Sequence, residues 1–391
     1  MSAECTIQDV FKHFYQDYEK KHVLSASQRK AAYHIMNCKT GAFGVNISVC
    51  EDCGCISVHY NSCRDRCCPM CQEFPKEKWV DARREDVLDA PYFHVVFTVP
   101  EELNPVIYSN QTLLYNALYH ASSDTLQELA SDSKYLGADI GYICILHTWG
   151  SEMNFHPHIH AIVLGGGLDP GNHWKDNGED FFLPIRVVSR MFRGKYLAEL
   201  KQLWENGKLE FNGIAGQYRN YYAFKELLNS CYKKEWFPYS KKTFNGAESV
   251  IRYLGKYTHR IAISNYRIKR ITNNTVTFTA KDYKNQGRWK EVTILGEEFI
   301  RRFLMHVPPK RFVRVRHYGL LSSRNKKRKI TLCRNILGCK KYLSKLKDLD
   351  APAIIRLLYN KDVCKCSSCG GKIVPLSADS FIYRPVPHLL C

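Results

Sequence analysis

Eight of the chain's 17 cysteines lie between Cys38 and Cys71, in the run "CKTGAFGVNISVCEDCGCISVHYNSCRDRCCPMC". A segment that dense in thiols is organised either by disulfides or by metal. The N-terminal residues "MSAECTIQDVFKHFYQ" show no basic stretch followed by an apolar one, the pattern of a secretory leader. The expected compartment is therefore intracellular, where clustered cysteines ligate metal.

Cys50-x-x-Cys53 and Cys68-x-x-Cys71 stand about a zinc ribbon's length apart. Each pair sits on a tight knuckle that presents two thiolates, and two knuckles complete a tetrahedron. "EDCG" and "CPMC" supply the Gly and Pro that such turns favour. The spacing predicts one zinc ion on Cys50, Cys53, Cys68 and Cys71. Cys38, Cys63 and Cys67, with His34 one helical turn before Cys38, make a second zinc set or else three buried free thiols. Cys55 is a bystander. Arg64 and Arg66 in the same run are available to a phosphate backbone. Ahead of this module two helices are expected: "TIQDVFKHFYQDYEKK", with Val10, Phe11 and Phe14 on one face, and "SASQRKAAYHIMNC", opened by the capping box Ser25-x-x-Gln28.

Lysine and arginine number 57 against 38 acidic residues, a net charge of +19. Basic runs gather late, in "RRFLMHVPPKRFVRVRH" and "RNKKRK". A surface of this kind favours a polyanion, and nucleic acid is the expected partner. No stretch approaches the ~20 apolar residues of a membrane span, so no membrane partner is expected.

From about residue 88 the pattern changes. "YFHVVFTVP", "IGYICILHTWG" and "HPHIHAIVLGGG" read as strands, the last ended by its glycines, and "TLLYNALYHASSDTLQELA" as an amphipathic helix. This order predicts an α+β fold, an antiparallel sheet with helices on one face. Along "HPHIHAIV" alternate side chains share a face, so His158 and His160 stand together with Ile159 turned to the core. They form half of a metal site. A turn near Met153 and Asn154 brings His147 opposite His158 or His160 as a third ligand, with Glu152 as the oxygen-ligand alternative. His156 has the same parity, but Pro157 leaves its direction open. The plainer reading is hydrogen-bonded histidines at a sheet edge. Further on, "GAESVIRYLGKYTHRIAISNYRI" begins as a helix, and Tyr253 and Tyr257 share a face at i, i+4. Taken alone, such a pair is ordinarily core.

"HPHIHAIVLGGGL", then "YLGKYTHRIAISN", then "VRVRHYGLLSSRN" together resemble the insertion sequence 91 family of transposases, two-tyrosine members of the HUH endonucleases. "CEDCG" and "NSCRDRCCPMCQ" resemble that family's N-terminal zinc-binding domain, with Cys67 where the pattern has His, an equally good zinc ligand. The resemblance implies a ferredoxin-like or RRM-like sheet carrying His158 and His160 as the metal pair and Tyr253 and Tyr257 as nucleophiles. It implies cleavage of single-stranded DNA at the element's ends, a 5′-phosphotyrosine intermediate and a free 3′-hydroxyl. Transposition would follow a rolling-circle-like route using host replication, in the bacterial cytoplasm at the nucleoid. A tyrosine hydroxyl with a pKa of ~10 is a weak nucleophile. A divalent ion on His158, His160 and His147 would polarise the scissile phosphate. Mg²⁺ or Mn²⁺ is expected, since two imidazoles suit the latter.

In "RFVRVRHYG", Arg314 and Arg316 alternate with valines and share a strand face, either solvated or a track for single-stranded DNA. The tail holds one knuckle, Cys366-x-x-Cys369, a candidate C-terminal zinc site lacking an evident second pair. Three regions result: 1–87 with the zinc-binding domain, 88–320 with the catalytic domain, and 321–391 as a basic C-terminal region. Two rival readings are a plasmid replication initiator or relaxase, and a non-catalytic zinc-dependent DNA-binding regulator.

Overall fold

The computed structural model describes residues 5–178, 183–236, 239–244, 249–250, 255, 261–282 and 285–376. Two capped helices come first, α1 (Ile7–Lys21) and α2 (Ala26–Asn37), each opened by a complete capping box, at Thr6–Asp9 and Ser25–Gln28. The hairpin β1 (Val45–Cys50) and β2 (Ile56–Tyr60) and the helix α3 (Glu73–Arg84) follow.

The central sheet begins with β3 (Tyr92–Thr98). After α4 (Asn104–Ser109) and α5 (Gln111–Ser131), the chain returns through β4 (Asp139–Trp149) and β5 (Phe155–Leu168). Then come β6 (Trp174–Asp176), α6 (Ile185–Glu205), α7 (Tyr221–Lys233) and β7 (Tyr239–Phe244). A meander, β8 (Ile268–Ile271), β9 (Thr275–Asp282) and β10 (Arg288–Leu295), leads into the helix Gly296–Leu304. Last come β11 (Val315–Gly319), the helices Lys326–Leu337 and Ala351–Tyr359, and β12 (Ile373–Pro375).

The sheet order is β11-β4-β5-β3-β7, with β6 on the end of β5, and every pairing is antiparallel. Strand alternation divides its residues between two faces. Phe93, Val95, Phe97, Tyr142, Cys144, Leu146, Ile159 and Ala161 pack under α5 and α6, where Leu118, Leu126, Phe192 and Tyr196 complete the main core. The fold is therefore α+β, as the pattern of elements indicates. On the opposite face, Ile143, Ile145, Ile162 and Leu164 meet Leu320, Leu321, Ile330 and Cys333. That cover stops short of the far end, where the same face carries His94, His147, His158 and His160.

Strand β5 does not end at its glycines as expected; it runs through them to Leu168. Neighbours press too closely for side chains there. A Cβ on Gly166 would meet the Trp174 ring at 2.3 Å, and one on Gly167 the Asp139 carbonyl at 2.3 Å. A second core has members on both sides of residue 87. Phe11 and Phe14 of α1 and Ile35 of α2 pack with Phe278, Phe299 and Phe303, so the N-terminal helices share a core with the meander. Strand β12 likewise pairs with β1, joining the tail to the first module. Among the described residues no helix is long and apolar enough to cross a membrane.

Candidate active site and zinc centres

The turn between β4 and β5 is closed by Gly150 N–H donating to the Asn154 carbonyl at 3.0 Å, with Met153 at φ 59°. It sets His147 directly opposite His158. One ligand atom from each of His147, His158 and His160 lies within 4.8 Å of the others. His158 Nδ1 donates to the His156 carbonyl at 2.6 Å, leaving its Nε2 unprotonated. His160 Nδ1 lies 2.8 Å from His94 Nε2. In the tautomer in which His160 donates there, two Nε2 lone pairs face each other 3.0 Å apart. Such a pair calls for a cation. Two nitrogens at ~2.1 Å from one ion, at the right angle of octahedral coordination, would stand ~3.0 Å apart, so the set fits. Burial pushes His158 down to about 3 and His160 well below its ordinary value. Both stay neutral, the ligating form of imidazole.

Glu152 is not beside these rings; it pairs with Lys290 at 2.7 Å. His156 offers its backbone carbonyl to His158 and lines the cleft above. That cleft, about 960 Å³, has the three histidines as its floor. One wall is the cysteine-rich module with Arg66, Gln72 and Lys76, and the other is the meander with Tyr266, Lys281 and Trp289. Gly255 lines it too. Tyr253 and Tyr257 lie outside the described residues.

The arginines expected to meet DNA divide. Arg64 is exposed. Arg66 is engaged within the protein, its two terminal nitrogens donating to the Phe312 and Pro309 carbonyls at 2.6 and 2.8 Å. Arg316 stands beside Cys144 in the sheet, on the helix-covered side, where it donates to Asn116 at 2.6 Å and lies over the Tyr119 ring. Arg314 is half-buried and lines a shallow recess with Arg66, away from the histidines. Alternation put the two arginines on one face but could not say which. No pattern in the sequence marks His94, Tyr266, Lys281 or Trp289. A lone His in "YFHVVFTVP" carries no local signal, and its partner sits on another strand.

The cysteines form two groups, and neither is the set that spacing suggests. Cys38, Cys63, Cys68 and Cys71 converge, as do Cys50, Cys53, Cys366 and Cys369. The reason is the β1–β2 hairpin. Its tip carries Cys50 and Cys53 away from its base, where Asn61 N–H donates to the Gly44 carbonyl and Lys39 N–H to the Asn61 carbonyl. Cys38 at the end of α2 and the loop 63–71 gather at that base. Cys67 belongs to neither group. It is buried in the core beside α1 and α2, and burial pushes its thiol up to about 12. His34 instead bonds the Asp65 carboxylate at 2.9 Å, whose other oxygen accepts the Cys67 N–H at 2.8 Å. Cys63 and Cys71 sulfurs stand 3.7 Å apart. A tetrahedral ion at ~2.3 Å from each sulfur spaces them ~3.8 Å apart, so the set fits zinc. Hydrogen bonds from Cys63 and Cys68 hold the Cys71 thiol below its ordinary value.

Residues 10–99 match a family model described as "Transposase zinc-binding domain", and residues 141–329 one described as "Putative transposase". The chain is 42% identical over 334 residues to "Putative transposase y4qJ" of Sinorhizobium fredii, spanning 85% of this chain and 84% of that one. It is 30% identical over 363 residues to the transposase for insertion sequence element IS801 of Pseudomonas savastanoi pv. phaseolicola, spanning 88% of this chain and 82% of that one. Among solved structures, the metal-bound conjugative relaxase TrwC in complex with oriT DNA aligns with 42% of this chain and 70% of its own. The identity is 14% and the TM-score 0.24, a likeness too slight to bear on chemistry. Cysteine module, histidine-floored cleft and relatives together define a transposase. The chain belongs to the insertion sequence 91 family.

Proposed function

We propose that this transposase nicks and rejoins single-stranded DNA at the ends of its element by tyrosine attack. The observation that carries the reading is Gly255. It stands midway between Tyr253 and Tyr257 in sequence and lines the same cleft as His147, His158 and His160. A divalent ion, Mg²⁺ or Mn²⁺, held by those three histidines would polarise the scissile phosphate and stabilise charge on the leaving oxygen.

The tyrosine hydroxyl gives up its proton as its oxygen bonds to phosphorus, the bond from phosphorus to the 3′-oxygen breaks, and that oxygen takes up a proton to become the 3′-hydroxyl. The 5′-phosphate is left on the tyrosine. The phosphodiester energy is thereby conserved, and no nucleotide cofactor is needed for joining. Transposition by strand exchange requires two such transfers, and two tyrosines one helical turn apart in sequence spacing supply two nucleophiles for one site. Exposed Trp289 and Tyr266 at the cleft offer rings to unpaired bases, which suits a single strand. Host replication would restore the displaced strand, as in rolling-circle transfer.

The test uses 5′- and 3′-labelled single-stranded oligonucleotides covering the element's ends, with Mg²⁺ or Mn²⁺. A covalent adduct through the 5′-phosphate is expected. It is lost in Tyr253→Phe/Tyr257→Phe and in His158→Ala/His160→Ala. An adduct that survives removal of both tyrosines overturns the reading.

A further inference from the structure

We propose that Cys50, Cys53, Cys366 and Cys369 hold a structural zinc ion that clasps the C-terminal segment to the N-terminal module. The matched zinc-binding domain ends at residue 99, so half of this site lies far outside it. Cys53 and Cys366 are 313 positions apart, with sulfurs at 3.7 Å; Cys50 and Cys369 sulfurs stand at 3.4 Å. These separations are close to the ~3.8 Å of a four-sulfur zinc centre.

The two halves are built alike. Cys50-Glu-Asp-Cys53-Gly54 and Cys366-Ser-Ser-Cys369-Gly370 are the same knuckle in sequence. In each, the glycine N–H donates back to the carbonyl of the first cysteine, at 3.0 Å for Gly54 and 2.9 Å for Gly370. Both glycines take left-handed φ values, 70° and 79°, which non-glycine residues adopt only at a cost. In the C-terminal knuckle, Ser368 and Gly371 N–H groups point at the Cys366 and Cys369 sulfurs, each at 3.4 Å. Donors aimed at sulfur stabilise thiolates, the ligating form.

The backbone brings the knuckles together. Strand β12 pairs with β1, Cys50 opposite Ile373, and Glu51 N–H donates to the Lys372 carbonyl at 2.9 Å. A Cβ on Gly371 would meet the Asp52 carboxylate at 2.3 Å, so the second glycine permits the close approach. Little else holds this three-stranded sheet. Ile56, Val58 and Tyr60 of β2 are exposed, and apart from Cys50 no residue of β1, β2 or β12 is buried. A sheet this small without a core needs a cross-link, and a metal supplies one. The inference stands on cysteine geometry alone and does not depend on the nicking chemistry.

Zinc content is measured on the purified full-length protein under reducing conditions by elemental analysis and native mass spectrometry. Two ions per chain are expected. Cys53→Ser and Cys369→Ser, both at exposed positions, each lose one ion, and the double variant loses no more than either alone. In all three, limited proteolysis newly releases the segment after Leu337. As an independent reading, cobalt(II) loading of the intact chain gives thiolate charge-transfer absorbance for two four-sulfur sites, halved in Cys369→Ser. One zinc in the wild type, two zincs in Cys369→Ser, or additive losses in the double variant would each overturn the clasp. So would a chain lighter by the hydrogens of a disulfide and lacking the second zinc.

Discussion

His94 and His160 stack with ring centroids 5.0 Å apart and planes 8° apart, and His94 Nε2 lies 2.8 Å from His160 Nδ1. His94 sits on β3, diagonal to His160 across the β3–β5 ladder. Burial pushes it down to about 4, so it is neutral, and in the tautomer in which His160 donates, its Nε2 is the acceptor. Accepting there fixes His160 with its proton on Nδ1 and its Nε2 turned to the other histidines. Partners of this kind orient a metal-ligating ring, and their removal typically costs 10–100-fold in metal affinity. His94→Ala should therefore weaken Mn²⁺ binding by roughly that factor, read by calorimetric titration without DNA. His94→Gln, which can still offer an acceptor, should recover part of the loss. Unchanged affinity in His94→Ala would show that His94 merely packs.

Trp289 is 54% exposed on β10, with the Lys281 ammonium 5.6 Å from its ring centroid, and Tyr266, which lines the same cleft, is 62% exposed. An aromatic ring beside a cation on an open wall suits a stacked base next to its phosphate. Trp289→Ala should weaken binding of a single-stranded oligonucleotide by ~1–3 kcal/mol, while Trp289→Phe keeps most of the affinity. Lys281→Ala should lower the salt dependence by about one phosphate contact, a slope change of ~0.7. Fluorescence anisotropy at several salt concentrations reads both. Equal affinity for wild type and Trp289→Ala would move the DNA path elsewhere.

Features governed by local period were legible in the sequence, and features made by long-range closure were not. The capping boxes and the shared face of His158 and His160 follow from neighbours within a turn or along a strand. The short turn after Trp149 does the same for His147. By contrast, Cys-x-x-Cys spacing identifies a knuckle but not its mate. Cys68 and Cys71 meet Cys38 and Cys63 because the hairpin tip carries Cys50 and Cys53 away. Alternation likewise grouped Arg314 with Arg316, but only the pairing of Arg316 with Cys144 shows which side of the sheet it takes. Arg66 offers a similar lesson: a cation in a basic run can be satisfied by backbone carbonyls folded against it.

His306 is 2% exposed, between the Thr148 hydroxyl, 3.1 Å from Nδ1, and the Met153 carbonyl, 3.0 Å from Nε2. A neutral ring meets both partners: Nε2–H donates to the carbonyl, and Nδ1 accepts from the hydroxyl. Burial pushes its pKa down to about 4, against ~6.5 in an unfolded chain. Between those values the unfolded state binds the proton and the folded state does not, so stability rises with pH there. The contribution is complete above ~6.5 and is lost as pH falls toward 4. By pH 5 the loss from this one group amounts to about 2 kcal/mol. His306→Gln keeps a donor and an acceptor but cannot titrate. Urea unfolding at pH 7 and pH 5 should therefore show a smaller acid loss in the variant by about that amount. His94, His158 and His160 titrate in the same direction, so the difference between the two proteins isolates His306. Parallel stability curves for wild type and His306→Gln would mean that the ring is already charged, or that its charge is solvated, in the folded protein.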